Sequence, residues 1–367
     1  MPAAVKRYGV DLTACWRPRV GMVTLAVELT RALVQAGERR RFVLFCSRAR
    51  PSEPDLPDAE AVISPYRDER LNKLVWLRRV EAETELAAIL YPYWPSPAFR
   101  NAAAPAAAVF VHDLAFRVRP DEVPWQQRAY LGTLLPIALE GAAAVLVPSH
   151  STRADLLAHY PVPDLEQRLH VVPEGSVSLP AGDLPAGLQP GFLLAVGTVE
   201  RRKNYARLLA AYRALRAGRP DTPELVVAGR PGWAYGSMVD DLRRQAGVRY
   251  LGHVDEATLG ALYTAAGTFV FPSLYEGFGL PLLEAMQAGL PAVIGNRGAL
   301  PELAGGGALQ TDVEDVDALT AAIERVMADT ALRRKLAKAA RARAQTFTWK
   351  AAADAVLPVL DAISEPK

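Results

Sequence analysis

The stretch FVFPSLYEGFGLPLLEAMQAGLPAV, Phe269–Val293, changes its backbone period twice within 25 residues and so restricts the folds open to this chain. Thr268 to Phe271 is a short apolar run of the kind found in strands buried on both faces. Pro272 and Ser273 end it, and a loop carries Glu276, Gly277, Phe278 and Gly279. Pro281 falls where the first turn of a helix tolerates a missing N–H, and Leu282, Leu283, Ala285 and Met286 continue that helix. Gly289 stops it, and Leu290 to Ile294 returns to strand. A strand, a loop, a helix and a strand in that order belong to a parallel α/β sheet.

The same stretch places two carboxylates, Glu276 in the loop and Glu284 in the helix, eight positions apart. Loop glycines let a ligand approach the main chain, and N–H groups at a helix start favour an anion. A carboxylate beside such a site suits the hydroxyls of a sugar or a ribose better than phosphate, because it only accepts hydrogen bonds. The plainer alternative is an ordinary turn, with Glu276 capping the helix and Glu284 solvated.

The alternation extends along the whole chain. Strands are expected at Arg7–Leu12, Phe42–Cys46, Ala61–Ile63, Ala88–Tyr91, Ala108–Val111, Ala144–Val147 and Leu169–Val172. A glycine- and proline-rich stretch, residues 173–190, reads as a linker. A second series begins at Phe192–Gly197 and continues through Leu225–Ala228 and Val248–Leu251. The pattern predicts two doubly wound parallel-sheet units, residues 1–175 and 190–346, and a last amphipathic helix over 348–364. Ligands of such sheets bind at the carboxyl ends of strands, which draws notice to several turns. TACWRPRVGM contains Arg17, Arg19 and Gly21 before a helix over Met22–Gln35. His112 and Asp113 follow AAVFV, and Ser149 or Ser151 is placed to cap the next helix. The aromatic segment YPYWPSP suits either sugar stacking or the core. TVERRKN, Thr198–Asn204, sets three cations at a strand-to-helix turn, where they can neutralise a diphosphate or simply face solvent. Gly229-Arg230 and Gly252-His253-Val254 end two further strands.

Composition removes several classes. Half of the 367 residues are apolar and the formal charge is +2, too small a field to imply a nucleic-acid partner. Thirty-five Arg against seven Lys reflects a coding bias, so Lys203 stands out from it. Cys15 and Cys46 offer at most one bridge in a chain that needs no staple, so a reducing, cytoplasmic setting is expected. The N-terminus lacks a signal-peptide pattern and no apolar run is long enough to span a bilayer. Leu71–Arg79 and Ala331–Arg343 mix apolar with basic residues; packed helices with a solvated basic face are the first reading, and peripheral contact with the inner face of the membrane is the second. Oligomeric state has no signal. There is no Cys/His metal cluster, and the one D-x-D, Asp315–Asp317, reads as a helix cap.

Glu-x7-Glu within PSLYEGFGLPLLEAMQAGLPAV resembles the donor site of retaining glycosyltransferases of family 4, which have the GT-B fold of two Rossmann-like domains facing a cleft. The resemblance implies that Glu284 binds the nucleotide ribose, that Glu276 contacts the donor sugar, and that Gly277, Phe278, Gly279 and Leu280 hold sugar and diphosphate. TVERRKN is similar to the family's phosphate-binding segment. There Gly197 and Thr198 open the donor site, while Arg202 and Lys203 bind the phosphates. Thr198 and Arg201 depart from common members, which shifts weight to Lys203. By the same resemblance Gly229, Arg230 and Val254 border the base, Gly21 lets donor or acceptor approach, and His112 touches donor sugar or acceptor. The acceptor would bind the first domain and the last helix would pack back on it. The implied activity is metal-independent, retaining hexosyl transfer to a saccharide or lipid-linked acceptor. The nucleotide-sugar donor acts as substrate and no cofactor is used; the motifs look most like mannosyltransferases using GDP-mannose, ahead of UDP-sugars. Two rivals remain: a nucleotide-sugar epimerase or phosphorylase of the same fold, and a non-catalytic sugar-nucleotide-binding subunit.

Overall fold

The computed structural model describes residues 5–15, 21–37, 40–47, 59–68, 71–93, 103–232 and 236–365, with Leu74 described by its backbone alone. Arg17, Arg19, the WPSP end of the aromatic segment and Trp233 lie outside these residues. The chain separates into two compact units.

One unit comprises residues 1–117, 126–175 and 347–367. Its seven strands are β1 (Lys6–Leu12), β2 (Arg40–Cys46), β3 (Ala59–Ile63), β4 (Ala88–Tyr91), β5 (Ala106–Phe110), β6 (Ala144–Val147) and β7 (Leu169–Val171). They pair in the order β3-β2-β1-β4-β5-β6-β7, all parallel. Buried runs such as GVDL in β1 and AILY in β4 have covered faces on both sides, which explains why they lack polar alternation. The helix Gly21–Ala36 and the terminal helix Trp349–Ile363 pack on each other over this sheet. Val356, Leu357 and Leu360 enter the core, each stabilising by about 1.5–3 kcal/mol. Asp361 fastens the same helix through Tyr8 and Arg40, both at 2.5 Å. Neither Cys15 nor Cys46 is in a disulfide.

The other unit comprises residues 118–125 and 176–346. Its strands are β8 (Leu193–Val196), β9 (Leu225–Ala228), β10 (Val248–Gly252), β11 (Thr268–Phe271), β12 (Ala292–Gly295) and β13 (Ala308–Thr311). The order β10-β9-β8-β11-β12-β13 is again wholly parallel. Chain progression reverses between β8 and β11, so the connections leaving these neighbours depart in opposite directions and open a crevice at their carboxyl ends. The turn with the cations follows β8, and the loop with Glu276 follows β11.

Local expectations meet specific outcomes. Ser149 caps the helix His150–His159 by accepting from Thr152 N, and Asp315 caps Val316–Ala328 through Asp317 N and Ala318 N. Tyr91 and Tyr93 are buried, and Tyr91 donates to Glu81, so these aromatic faces belong to the core and not to a stacking surface. Helix Thr330–Ala344 buries Leu336, Ala340 and Ala344, with Arg334, Lys335 and Lys338 exposed. Among the described residues no helix is long and apolar enough to cross a membrane.

Candidate functional site at the β8–β11 switch point

Arg201–Lys203 forms a single 3-10 turn after β8. Asn204 follows in the left-handed region (φ 60°), where Asn is tolerated, and its Nδ2 donates to Val313 O at 2.7 Å. That reversal starts the helix Tyr205–Gly218. Leu274 N donates to Arg202 O at 2.9 Å, tying the turn to the loop after β11.

The two segments share one carboxylate. Lys203 Nζ donates to Glu276 Oε1 at 2.5 Å, and Arg202 Nη1 donates to Glu276 Oε2 at 2.8 Å. Arg202 also reaches Tyr275 O at 2.8 Å and Glu200 Oε1 at 2.9 Å. Lys203 Nζ lies 5.0 Å from the centre of the Phe271 ring. Glu276 is 7 % exposed. Burial alone would raise its pKa, yet the charges of Arg202 and Lys203 outweigh that and bring it down to about 2. Glu200, Arg202, Lys203 and Glu276 thus form a charge-balanced quartet. Sequence reading assigned Arg202 and Lys203 to donor phosphates without seeing the carboxylates that hold them, and Glu200 had escaped notice although it stands inside the motif. Arg201, by contrast, is exposed.

Residues 272–279 are buried throughout. Gly279 has φ 113°, a conformation that a side chain strongly disfavours, and it is the residue from which the helix Leu280–Ala288 starts. Glu276 does not cap that helix: Leu282 and Leu283 donate to Gly279 O, and Pro281 has no N–H. Of the first-turn donors this leaves the Leu280 N–H, a narrower anion site than the sequence suggested.

Glu284 lies within that helix, half-buried rather than solvated, and accepts from Tyr263 Oη at 2.9 Å. Desolvation raises its pKa to about 7; the Tyr263 bond works against this and the charge of Glu256 adds to it. Tyr263 gave no sequence signal, since it comes from the preceding helix Glu256–Ala265.

The remaining candidates distribute over the strand ends. Gly197 and Gly229 end β8 and β9, and a Cβ on Gly229 would stand 1.9 Å from Gly197 O, so the two turns press together. Thr198 is half-buried beside this contact, and Val199 forms a bridge to Pro231. Arg230 Nη2 lies 3.0 Å from His253 Nε2, and Val254 follows at the end of β10. In the other unit, Gly21 is the first residue of its helix and is exposed; no described residue joins it to a site. His112 lies just past β5, with Nε2 3.0 Å from Pro92 O. Among the described residues no group of His, Cys, Asp or Glu is arranged to hold a metal ion.

Residues 20–176 match the model for Glycosyltransferase Family 4, and residues 183–343 match that for Glycosyl transferases group 1. The O-antigen chain mannosyltransferase B of Escherichia coli is 31 % identical over 359 residues, covering 91 % of this chain and 93 % of the relative. Among solved structures, sucrose-phosphate synthase from Thermosynechococcus elongatus superposes with a TM-score of 0.73 at 22 % identity, covering 95 % of this chain and 96 % of the other. WaaG, a glycosyltransferase involved in lipopolysaccharide biosynthesis, superposes with 0.74 at 16 % identity, covering 98 % and 100 %. The two parallel-sheet units and the full-length relationship to a mannosyltransferase together place the chain among the family 4 glycosyltransferases, with the GT-B fold.

Proposed function

We propose that this glycosyltransferase moves a hexose, mannose in first place, from a nucleoside-diphosphate sugar to a saccharide or lipid-linked acceptor in the making of a surface glycan, with retention at the anomeric carbon. The observation that carries the reading is the sharing of Glu276 by Arg202 and Lys203 at the switch point of the sheet. Two cations held in a water-poor place are suited to a diphosphate leaving group. In this reading Glu276 orients the sugar, Glu284 holds the ribose, and the Leu280 N–H adds to the phosphate site. Transfer breaks the bond from C1 to the phosphate oxygen and forms one from C1 to the acceptor oxygen on the same face. The acceptor proton passes to the leaving diphosphate. Activity therefore persists in a chelator. Mannose is favoured because of the mannosyltransferase relative, GDP-mannose is set ahead of UDP-sugars by the likeness of the motifs, and cytoplasmic action suits a nucleotide-sugar donor.

A thermal-shift series with GDP, UDP and ADP tests the donor. GDP is expected to stabilise most, by about 2–4 kcal/mol at 100- to 1,000-fold above its Kd. No shift with any of the three would sink the nucleotide-sugar reading. Incubating GDP-mannose without acceptor exposes an epimerase, which isomerises the sugar, whereas a binding subunit binds nucleotide yet never releases it from the sugar donor, with acceptor or without.

Glu284 adds a pH signature. Ribose hydroxyls donating to its carboxylate favour the charged form, so the bound pKa falls below the free value of about 7. Nucleotide affinity is then full above pH 7 and weakens as pH drops, by up to about tenfold per unit. Calorimetry at pH 7 in buffers of differing ionisation enthalpy should register proton release. A Kd constant from pH 6 to 8 would count against the ribose role.

A further inference from the structure

Lys203 carries its charge at the end of a flexible four-carbon stem, so where the ammonium points depends on what borders the stem. Its bond to Glu276 Oε1, 2.5 Å, holds the tip alone, and a diphosphate that takes the ammonium removes that hold. One border is the Phe271 ring, whose centre lies 5.0 Å from Nζ. Another is Gly197, just past β8. A Cβ there would lie 3.6 Å from Lys203 Cε, 3.7 Å from Lys203 Cδ and 3.7 Å from Tyr205 Oη, so stem, strand end and phenol meet at one point.

Gly197 does not fix its own conformation. Its φ is 148°, which glycine adopts without strain and other residues rarely reach, so partners must hold the peptide plane. Its N–H donates to Ala228 O at 3.0 Å, and its carbonyl accepts from Tyr205 Oη at 2.8 Å. The peptide joining Gly197 to Thr198 is planar, and turning it would break the Tyr205 bond. Tyr205 opens the helix that follows Asn204, so the phenol starts from the same turn that carries Lys203. Tyr205 is buried, and burial, with the charge of Glu200 adding to it, raises the phenol pKa; the hydroxyl keeps its proton and donates. Phenylalanine would fill the same space but could not make this bond, so the hydroxyl carries the information.

We propose that the Tyr205 hydroxyl is a positioning group for Lys203: by holding the Gly197 carbonyl it fixes the border of the Lys203 stem, so that the ammonium stays aimed when it leaves Glu276 for a diphosphate. The inference rests on the nucleotide-sugar reading and adds a residue that touches no substrate.

The test uses the full chain carrying Tyr205→Phe. The kcat for sugar transfer is expected to fall about tenfold, the worth of one hydrogen bond between neutral groups. The KM for the donor should stay within about twofold, because the aimed cation acts most on charge that develops as the bond breaks. In the Lys203→Ala background the same change should cost less than about twofold, since the group it positions is gone. With GDP present, 13C relaxation should show the Cε of Lys203, one of seven lysines, rigid in wild type and more mobile in Tyr205→Phe. An equal loss of kcat in both backgrounds overturns the proposal, as does wild-type turnover in Tyr205→Phe. Unfolding of that near-isosteric chain also overturns it, by making the hydroxyl a support of the fold. If Lys203→Ala itself turns over like wild type, the nucleotide-sugar reading loses its cation instead, and the Lys203 Cε signal alone decides the positioning, an unchanged signal overturning it.

Discussion

Lys203→Ala is expected to lower kcat for sugar transfer by about a hundred- to a thousandfold while the chain keeps its fold. The ammonium is 11 % exposed, touches Glu276 at 2.5 Å and lies over the Phe271 ring, so any charge it meets is poorly screened by water. A leaving diphosphate gains negative charge as the glycosidic bond breaks, and a fixed cation stabilises that stage more than the bound ground state. The fold survives because Glu276 keeps Arg202 as a partner. Lys203→Arg should not restore turnover, since a planar fork cannot take the place of a compact ammonium at this contact. Steady-state rates beside far-UV circular dichroism decide the matter, and wild-type-like turnover in Lys203→Ala would defeat the assignment.

Glu276→Gln is expected to divide binding from chemistry. Its carboxyl has a pKa lowered from 4.5 to about 2, so the charged form supports the fold above pH 4.5 and that support is lost as pH falls toward 2. The contribution at neutral pH is on the order of 3 kcal/mol. Gln keeps the shape but leaves Arg202 and Lys203 facing each other with less opposing charge. The thermal midpoint should fall by roughly 6–12 °C, and the variant should lose the acid-induced weakening that wild type shows between pH 4.5 and 2. Nucleoside diphosphate then meets less competition for the two cations and should bind at least as tightly as in wild type. Transfer itself should drop by about a hundredfold or more, because the sugar loses its orienting carboxylate. A variant that binds GDP more weakly yet transfers normally would show that the quartet has only a structural role.

Much of this was readable from single segments. The apolar runs FLLAV and TFVF, each closed by a turn, could only be strands covered on both faces, and β8 and β11 are those strands. Pro281 and Gly289 marked the limits of the helix bearing Glu284 because φ restriction and φ freedom act through the local chain. Asp315 and Ser149 announced their caps for the same reason.

What no segment could reveal were meetings between distant residues. Glu276 reads as a loop carboxylate until the β8–β11 neighbourhood brings Lys203, 73 positions away, onto one of its oxygens. Glu284 reads as solvated until Tyr263 and the helix around it withdraw water and raise its pKa. Glu174 reads as part of a linker until the fold buries it 3.9 Å from His112 Nδ1. The sequence by itself determined the period, ends and order of the elements, because those follow from sterics and hydrogen bonding between near neighbours. Only the tertiary structure decided which charges face one another and how little water reaches them, since Coulomb energy and desolvation depend on distance in space and not along the chain.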